Sequence, residues 1–256
     1  MRIQYASDLH LEFRENTEKL ALHPLRVVGD ILVLAGDTHV FKGKAWEKHP
    51  FFDWCADNFK QTYLIPGNHE YYGGAELSER FDDFEYFVRP NVRYLNNRSV
   101  SIGDVELFFT TLWTTVPPEE MAAVQIGLTD CYRIKLHGRL FNAGDYVKLH
   151  NQCTEWLSKA LEKSDATCKI VVSHHQPTLR ISDPRFKSSP INSAFAVDMD
   201  DFIRHYSPEF WIYGHTHYNG GCSLVIGKTT LLCNQLGYVR HGENGSFDLG
   251  ACIDIE

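Results

Sequence analysis

YASDLHLEF, residues 5–13, is an apolar strand that breaks into an aspartate, Asp8, and two positions later a histidine, His10. Neither side chain suits an apolar core, and each can ligate a metal. Taken alone, the stretch reads as an ordinary corner, with Asp8 in a turn and His10 a half-buried surface imidazole. Whether the corner is structural or chemical depends on what the other strand ends carry.

Apolar runs of strand length recur along the chain: RIQYAS, DILVLAG, TYLIPG, VELFFTTLW, KIVVSH and FWIYGH. Helical segments lie between some of them. DYVKLHNQCTEWLSKALEKS (145–164) puts Tyr146, Leu149, Cys153, Trp156, Leu157, Ala160 and Leu161 on one stripe and opens on Asp145 as N-cap. HPFFDWCADNF (49–59) and ELSERFDDFEYFV (76–88) are also predicted as helices. CSLVIGKTTLLCNQ (222–235) reads as a β-hairpin around Gly227-Lys228, and SFDLGACIDIE (246–256) as a closing strand. Near-continuous apolar strands alternating with helices imply buried sheets covered by helices. The expected fold is therefore α/β, a four-layer αββα sandwich of two stacked mixed sheets, with residues 1–256 forming a single domain.

The chain has 256 residues, 43% of them hydrophobic, with 16 Phe, 12 Tyr and 5 Trp, which excludes a disordered chain and allows one large core. The formal net charge of −8 weighs against extended nucleic-acid binding, because a phosphate-tracking surface is usually basic. MRIQYASDLH at the N-terminus holds no apolar leader, and no stretch approaches the ~20 apolar residues that span a bilayer. The seven cysteines are scattered without a CxxC pair and read as reduced thiols. These features lead to the expectation of a cytoplasmic protein without a membrane partner; nothing in the sequence fixes its oligomeric state.

Ligands in layered α/β proteins collect beyond the carboxyl ends of strands. Here those ends carry SDLH (Asp8, His10), AGD (Asp37), PGNHE (Asn68, His69), VSHH (His174, His175) and YGHTH (His215, His217). The mixture of imidazole, carboxylate and amide oxygen suits Mn, Fe or Zn better than Ca or Mg, and there are enough ligands for two ions. Gly36, Gly67 and Gly214 precede three of these groups, where a missing Cβ permits close approach.

These five blocks, in this order from residue 8 to residue 217, resemble the DxH, GD, GNH[DE], H and GHxH pattern of the calcineurin-like metallophosphoesterase family. The resemblance implies two divalent cations, one held by Asp8, His10 and His217 and the other by Asn68, His174 and His215, with Asp37 bridging. It implies a catalytic His69 beside the leaving-group oxygen, and it leaves His175 either supporting the ligands from behind or facing substrate. Cations about 3.5–4 Å apart can clamp the ester oxygens and hold a bridging hydroxide for in-line attack on phosphorus.

Further candidate substrate contacts are Tyr71 and Tyr72 after His69, His39 after Asp37, and Trp113 and Arg133 in the stretch before the second histidine block. Arg133, Arg180 and Arg185 could each pair with phosphate oxygens or simply with surface carboxylates. RISDPRFKSSPINSAF (180–195) has no periodicity and reads as a long loop, a lid at the site mouth.

AGDTHVFKG lacks the second Asp and the Arg of the GDxxDRG block in the family's protein phosphatases. SDLHLE, PGNHEYY and GHTH look more like its small bacterial phosphodiesterase branch. The expected activity is a manganese-type phosphodiesterase on a small nucleotide-like phosphoester. The alternatives are a phosphomonoesterase, then a metal-dependent nuclease, and from a different class a non-catalytic scaffold of the same fold.

Overall fold

A computed structural model describes residues 1–220 and 223–255. The first strands of the chain, β1 (Arg2–Ala6), β2 (Ile31–Leu34), β3 (Gln61–Leu64), β4 (Phe84–Arg89) and β5 (Val92–Asn96), build one sheet. The next, β6 (Arg98–Ile102) and β7 (Val105–Thr110), begin a second. After a small hairpin of β8 (Lys135–Leu136) and β9 (Arg139–Leu140), the second sheet is completed by β10 (Cys168–Ser173), β11 (Phe210–Tyr213), β12 (Leu224–Ile226) and β13 (Thr229–Cys233). The last strand, β14 (Cys252–Asp254), returns to the first sheet.

The two sheets have six strands each, in the orders β14-β1-β2-β3-β5-β4 and β12-β13-β11-β10-β7-β6. In both, four central strands run parallel and an antiparallel strand closes each edge. The expected stack of two mixed sheets is therefore correct.

The sheets face one another through Ile3, Val33, Tyr63, Leu107, Phe109, Ile170, Val172 and Ile212, all buried. Because side chains alternate along a strand, the intervening residues point outward and need a second cover. Leu32, Leu34 and Leu64 pack against helix α2 (Pro50–Asn58) through Phe52 and Cys55, with Leu20 of α1 (Arg14–Leu22) in the same cluster. On the other side Phe108, Val171, Trp211 and Tyr213 pack under Leu157 and Leu161 of α5 (Ala143–Lys163) and Ile203 of α6 (Asp200–Tyr206). Two shorter helices, α3 (Met121–Gly127) and α4 (Asp130–Arg133), cap one end with Trp113 and Tyr146. Burying each Leu, Val or Phe contributes about 1.5–3 kcal/mol, so both outer helical layers are essential to the sheets.

Three local readings are corrected. Residues 76–88 do not form one helix: a 3-10 turn, Leu77–Arg80, leads into edge strand β4. Phe84, Tyr86 and Val88 alternate toward the core while Phe87 faces solvent, a period of two that outweighs the mixed charge of the segment. Helix α5 starts earlier than Asp145; Asn142 is its N-cap, and Asp145 completes a capping box from the third position. Cys55, Cys131, Cys153, Cys168 and Cys252 are free thiols, whereas Cys233 is disulfide-bonded, against the reading of all seven as reduced. The hairpin around Gly227 forms as expected between β12 and β13, with Cys222 outside the described residues. Among the described residues no helix is long and apolar enough to cross a membrane.

Candidate metal centre

The carboxyl ends of β1, β2 and β3 and those of β10 and β11 open at the same end of the molecule. The chain after β13 ties them together: Ser7 N–H donates to Asn234 O and Leu236 N–H to Ser7 O, so the β1 corner is stitched to the second sheet. Asp8, His10, Asp37, Asn68, His69, His174, His215 and His217 are all buried or nearly so at this junction.

The approach of the strands needs the glycines. A Cβ on Gly36, whose φ is +91°, would meet His174 Nδ1 at 2.3 Å. A Cβ on Gly67 would lie 2.2 Å from Asp37 Oδ1.

Three groups of donor atoms converge: Asp8, His10 and His217; His10, Asp37 and His69; and Asp37, His174 and His215. The protons of the imidazoles decide what can sit among them. His174 Nδ1 lies 2.9 Å from Ala35 O, so it donates, and Nε2 turns a lone pair inward. That Nε2 faces Asn68 Oδ1 at 3.1 Å, His215 Nδ1 at 3.1 Å and Asp37 Oδ1 at 3.4 Å. His10 Nδ1 donates to Glu12 at 3.2 Å and His217 Nδ1 to Glu243 at 2.6 Å. Their Nε2 atoms consequently face each other at 3.0 Å, with Asp37 Oδ2 3.7 Å from His10 and Asp8 Oδ1 3.4 Å from His217. Outer nitrogens held by a carboxylate or carbonyl and inner lone pairs turned toward one another is the arrangement that ligating histidines adopt. A divalent cation fits the chemistry of each set of donors.

The carboxylates of the site favour charge on the imidazoles beside them. Burial opposes the charged form of His174, but Asp37 outweighs it and lifts the group to about 9. Burial likewise opposes protonation of His217, and its bonds to Asp8 and Glu243 lift it to about 10. Asp37 is itself held well below the usual carboxylate range, burial being overcome by His174 and His69.

Four residues outside the expected donor set hold it in place. Glu12 is mostly covered, and its Oε1 accepts from both His10 Nδ1 and His69 Nδ1, the latter at 2.9 Å. Burial alone would raise its carboxyl, but these two hydrogen bonds hold it down to about 2. Asp130 accepts from Asn68 Nδ2 at 2.9 Å and from the hydroxyls of Tyr72 and Tyr146, which fixes the Asn68 amide with its oxygen toward His174. Glu243 accepts from His217 and from Tyr238 N–H at 2.7 Å. The Tyr238 hydroxyl lies 3.0 Å from His69 Nε2. Glu12 shares the i, i+2, i+4 alternation of Asp8 and His10, a signal present in SDLHLE; Tyr238 and Glu243 stand in a stretch with no local pattern.

The candidate substrate contacts divide. Tyr72 lines the cavity beside the metal donors, a space of about 400 Å³. Tyr71 does not; it is wholly buried in the neighbouring core, its hydroxyl donating to Arg80 O. Trp113 and His175 are also fully buried, their rings 5.1 Å apart, so neither faces substrate. Burial pushes His175 down to about 3, and its ring packs behind His174 and His215. His39 turns Nδ1 to Val40 O and its ring toward His49, and Arg133 is exposed; both lie outside the cavity wall. Arg180 pairs with Asp200, the surface alternative, while Arg185 reaches the cavity but is held by Asp183. Residues 182–196 do supply one side of the cavity, where a mouth loop was expected.

An uncharacterised protein of Acanthamoeba polyphaga mimivirus is 28% identical over 282 aligned positions, covering 100% of this chain and 98% of the other. The fold is shared with the phosphopantetheinyl hydrolase of Mycobacterium tuberculosis, at a TM-score of 0.71 and 15% identity over 99% of this chain and 96% of that one. It is shared less closely with TT1561 of Thermus thermophilus, at a TM-score of 0.53 and 14% identity over 99% and 93% of the two chains. The family model for calcineurin-like phosphoesterases matches residues 1–219, and the chain belongs to that family of metal-dependent phosphoester hydrolases.

Proposed function

We propose that the protein is a phosphodiesterase acting on a small, nucleotide-like phosphoester, with two divalent cations bound at the strand ends. In this reading Asp8, His10 and His217 hold one ion and Asn68, His174 and His215 the other. The observation that carries it is the placement of Asp37: one carboxylate oxygen turns to His10 and the other to His174, so a single side chain belongs to both donor sets. Such cations supply Lewis acidity toward the ester oxygens and make bound water nucleophilic near neutral pH; manganese, iron and zinc all suit the donors.

The chain's own residues account for the rest. His69 backbone N–H donates to Asp37 Oδ1 at 2.9 Å, and its ring is fixed at Nδ1 by Glu12. Burial disfavours its charged form, but Asp37 and Glu12 outweigh burial and raise it, leaving a proton for Nε2. The Tyr238 hydroxyl 3.0 Å from that nitrogen marks where an ester oxygen fits. As the water oxygen bonds to phosphorus, the bond to the leaving oxygen breaks and that oxygen takes the Nε2 proton. The proton given up by the attacking water restores His69.

A diester is favoured over a monoester because a diester carries one negative charge fewer. Among the described residues Arg185 is the one Arg or Lys of the cavity wall, and Asp183 already neutralises it. The test is turnover of bis-p-nitrophenyl phosphate against p-nitrophenyl phosphate after manganese loading. The diester is expected to be the better substrate by kcat/KM. A preference for the monoester would replace this reading with a phosphomonoesterase, and cutting of supercoiled plasmid would favour a nuclease. Soluble cytoplasmic residence and a single domain over 1–256 remain part of the same proposal.

A further inference from the structure

The cavity beside the donor sets is unevenly built. Its charged wall is spent internally: Asp183 binds Arg185 through Oδ2 at 2.5 Å and Oδ1 at 3.1 Å, Glu243 binds His217, and Asp130 accepts from Tyr72, Tyr146 and Asn68. Among the described residues that line it there is no lysine and no arginine without a carboxylate. A second phosphate on the substrate would find no cation to meet it there.

The rest of the wall is mixed: Thr129, Gln176, Ser182, Ser189, Asn192 and Thr216 are polar, and beside them runs an apolar stretch. Leu128 at the end of α3, Phe186, Ile191 and Phe195 from the mouth loop, and the rings of Tyr72 and Tyr238 surround a space of about 400 Å³. Phe195 lies nearly parallel to the His215 ring, at 4.9 Å and 23°, so the apolar surface begins directly at the donor set. Phe186 keeps 55% of its surface exposed, a large aromatic ring left for a ligand at the mouth.

Resting on the phosphodiesterase reading, we propose that the substrate carries a single phosphorus and an uncharged aromatic or apolar ester group seated against Phe186, Ile191 and Phe195. Pyrophosphate-linked and oligonucleotide substrates are disfavoured by the same wall. Recognition is by apolar contact on one side and by the cations on the other, with the phosphorus between them.

The test compares p-nitrophenyl phenylphosphonate with p-nitrophenyl methylphosphonate on manganese-loaded enzyme. Both have the leaving group and the single negative charge of the diester, and they differ only in the group offered to the wall. Contacts of this kind discriminate by roughly 10-fold or more, so kcat/KM should favour phenyl by at least about 10-fold. Phe186→Ala, at an exposed position, should lower kcat/KM for the phenyl compound more than for the methyl compound and so abolish most of that preference. Ile191→Ala gives a second, independent readout of the same wall. Equal kcat/KM for the two compounds in wild type, or an equal fall for both in Phe186→Ala, overturns this inference alone. No turnover of either compound by protein with two bound manganese ions overturns the phosphodiesterase reading and the inference with it.

Discussion

Replacing Glu12 by glutamine separates charge from geometry at the centre. Glu12 Oε1 makes both hydrogen bonds, to His10 Nδ1 at 3.2 Å and His69 Nδ1 at 2.9 Å, whereas buried Oε2 has no partner. A glutamine in the same rotamer can keep its carbonyl where Oε1 stands and place its amide nitrogen where Oε2 stands. Both contacts then survive in outline, but each changes from charge-assisted to neutral. Such bonds are about twice as strong as neutral ones, against about 1 kcal/mol for an ordinary one. The loss is thus about 1 kcal/mol at each ring, and about 1–2 kcal/mol at His69 once the lost stabilisation of its protonated form is included. That predicts a fall in kcat/KM of about 5- to 30-fold. Glu12→Ala removes the acceptor that both rings share and frees both tautomers, so it should cost ~10²-fold or more. Metal affinity should weaken by about 10- to 100-fold in the alanine variant, the usual effect of losing a partner of a ligating histidine. Steady-state kinetics on bis-p-nitrophenyl phosphate, with metal content measured on the same preparations, checks both quantities. If Glu12→Ala kept wild-type kcat/KM and two full metal equivalents, Glu12 would have no part in holding the site, and the orientation argument for His69 would fail.

Asp130→Asn should loosen the Asn68 amide, which now has its oxygen fixed inward by a carboxylate; the expected result is one tight and one weakened metal site in a manganese titration, with both sites tight refuting it. Gly67→Ala places a Cβ 2.2 Å from Asp37 Oδ1 and should reduce kcat by 10²-fold or more while the far-ultraviolet circular dichroism stays unchanged, because the chain there has no need of positive φ. His49 is pushed by burial down to about 4 from the usual 6.5. Between those values the unfolded chain binds a proton that the folded one does not, so this contribution to stability is full above pH 6.5 and is lost as pH falls toward 4. His49→Gln should flatten the decline in denaturation midpoint between pH 7 and 5; an unchanged slope would refute it.

The sequence made the donors of the site legible because each stands where a strand stops. An apolar run followed at once by Asp, Asn or His is a local pattern, and five such ends met in one place. What fixes those donors was harder to see. Asp130 reaches Asn68 across 62 positions and Tyr238 reaches His69 across 169, and neither is part of a repeat or a motif. Alternation misled at residues 71–72 only in that two adjacent tyrosines on a 3-10 turn face different ways, Tyr71 into the core and Tyr72 into the cavity. The second of two consecutive histidines behaves similarly: His174 faces the donors while His175 lies behind them against Trp113. Residues 76–88 show the converse, a strand hidden by helix-forming charged residues, since its partner β5 lies only a turn away and makes the pairing local.

The backbone ties the fold to its chemistry at a more basic level. Asp8 (φ 55°), His10 (φ 46°), Asp37 (φ 53°), His215 (φ 77°) and His217 (φ 52°) all occupy the left-handed region. A non-glycine residue costs about 1–2 kcal/mol there, and only Asn, Asp and His enter it with some frequency. A strand that must end abruptly and double back needs such a conformation, and the residues that tolerate it best are those with short or flat polar side chains. Those same side chains bind divalent metals. The geometry that ends these strands therefore selects residue types that can also hold a cation, and five strained residues at three neighbouring corners are hard to account for by folding alone. Cations held at the two donor sets, with Asp37 common to both, would offset that strain, and glycine, which would relieve it without ligating anything, is absent from all five positions.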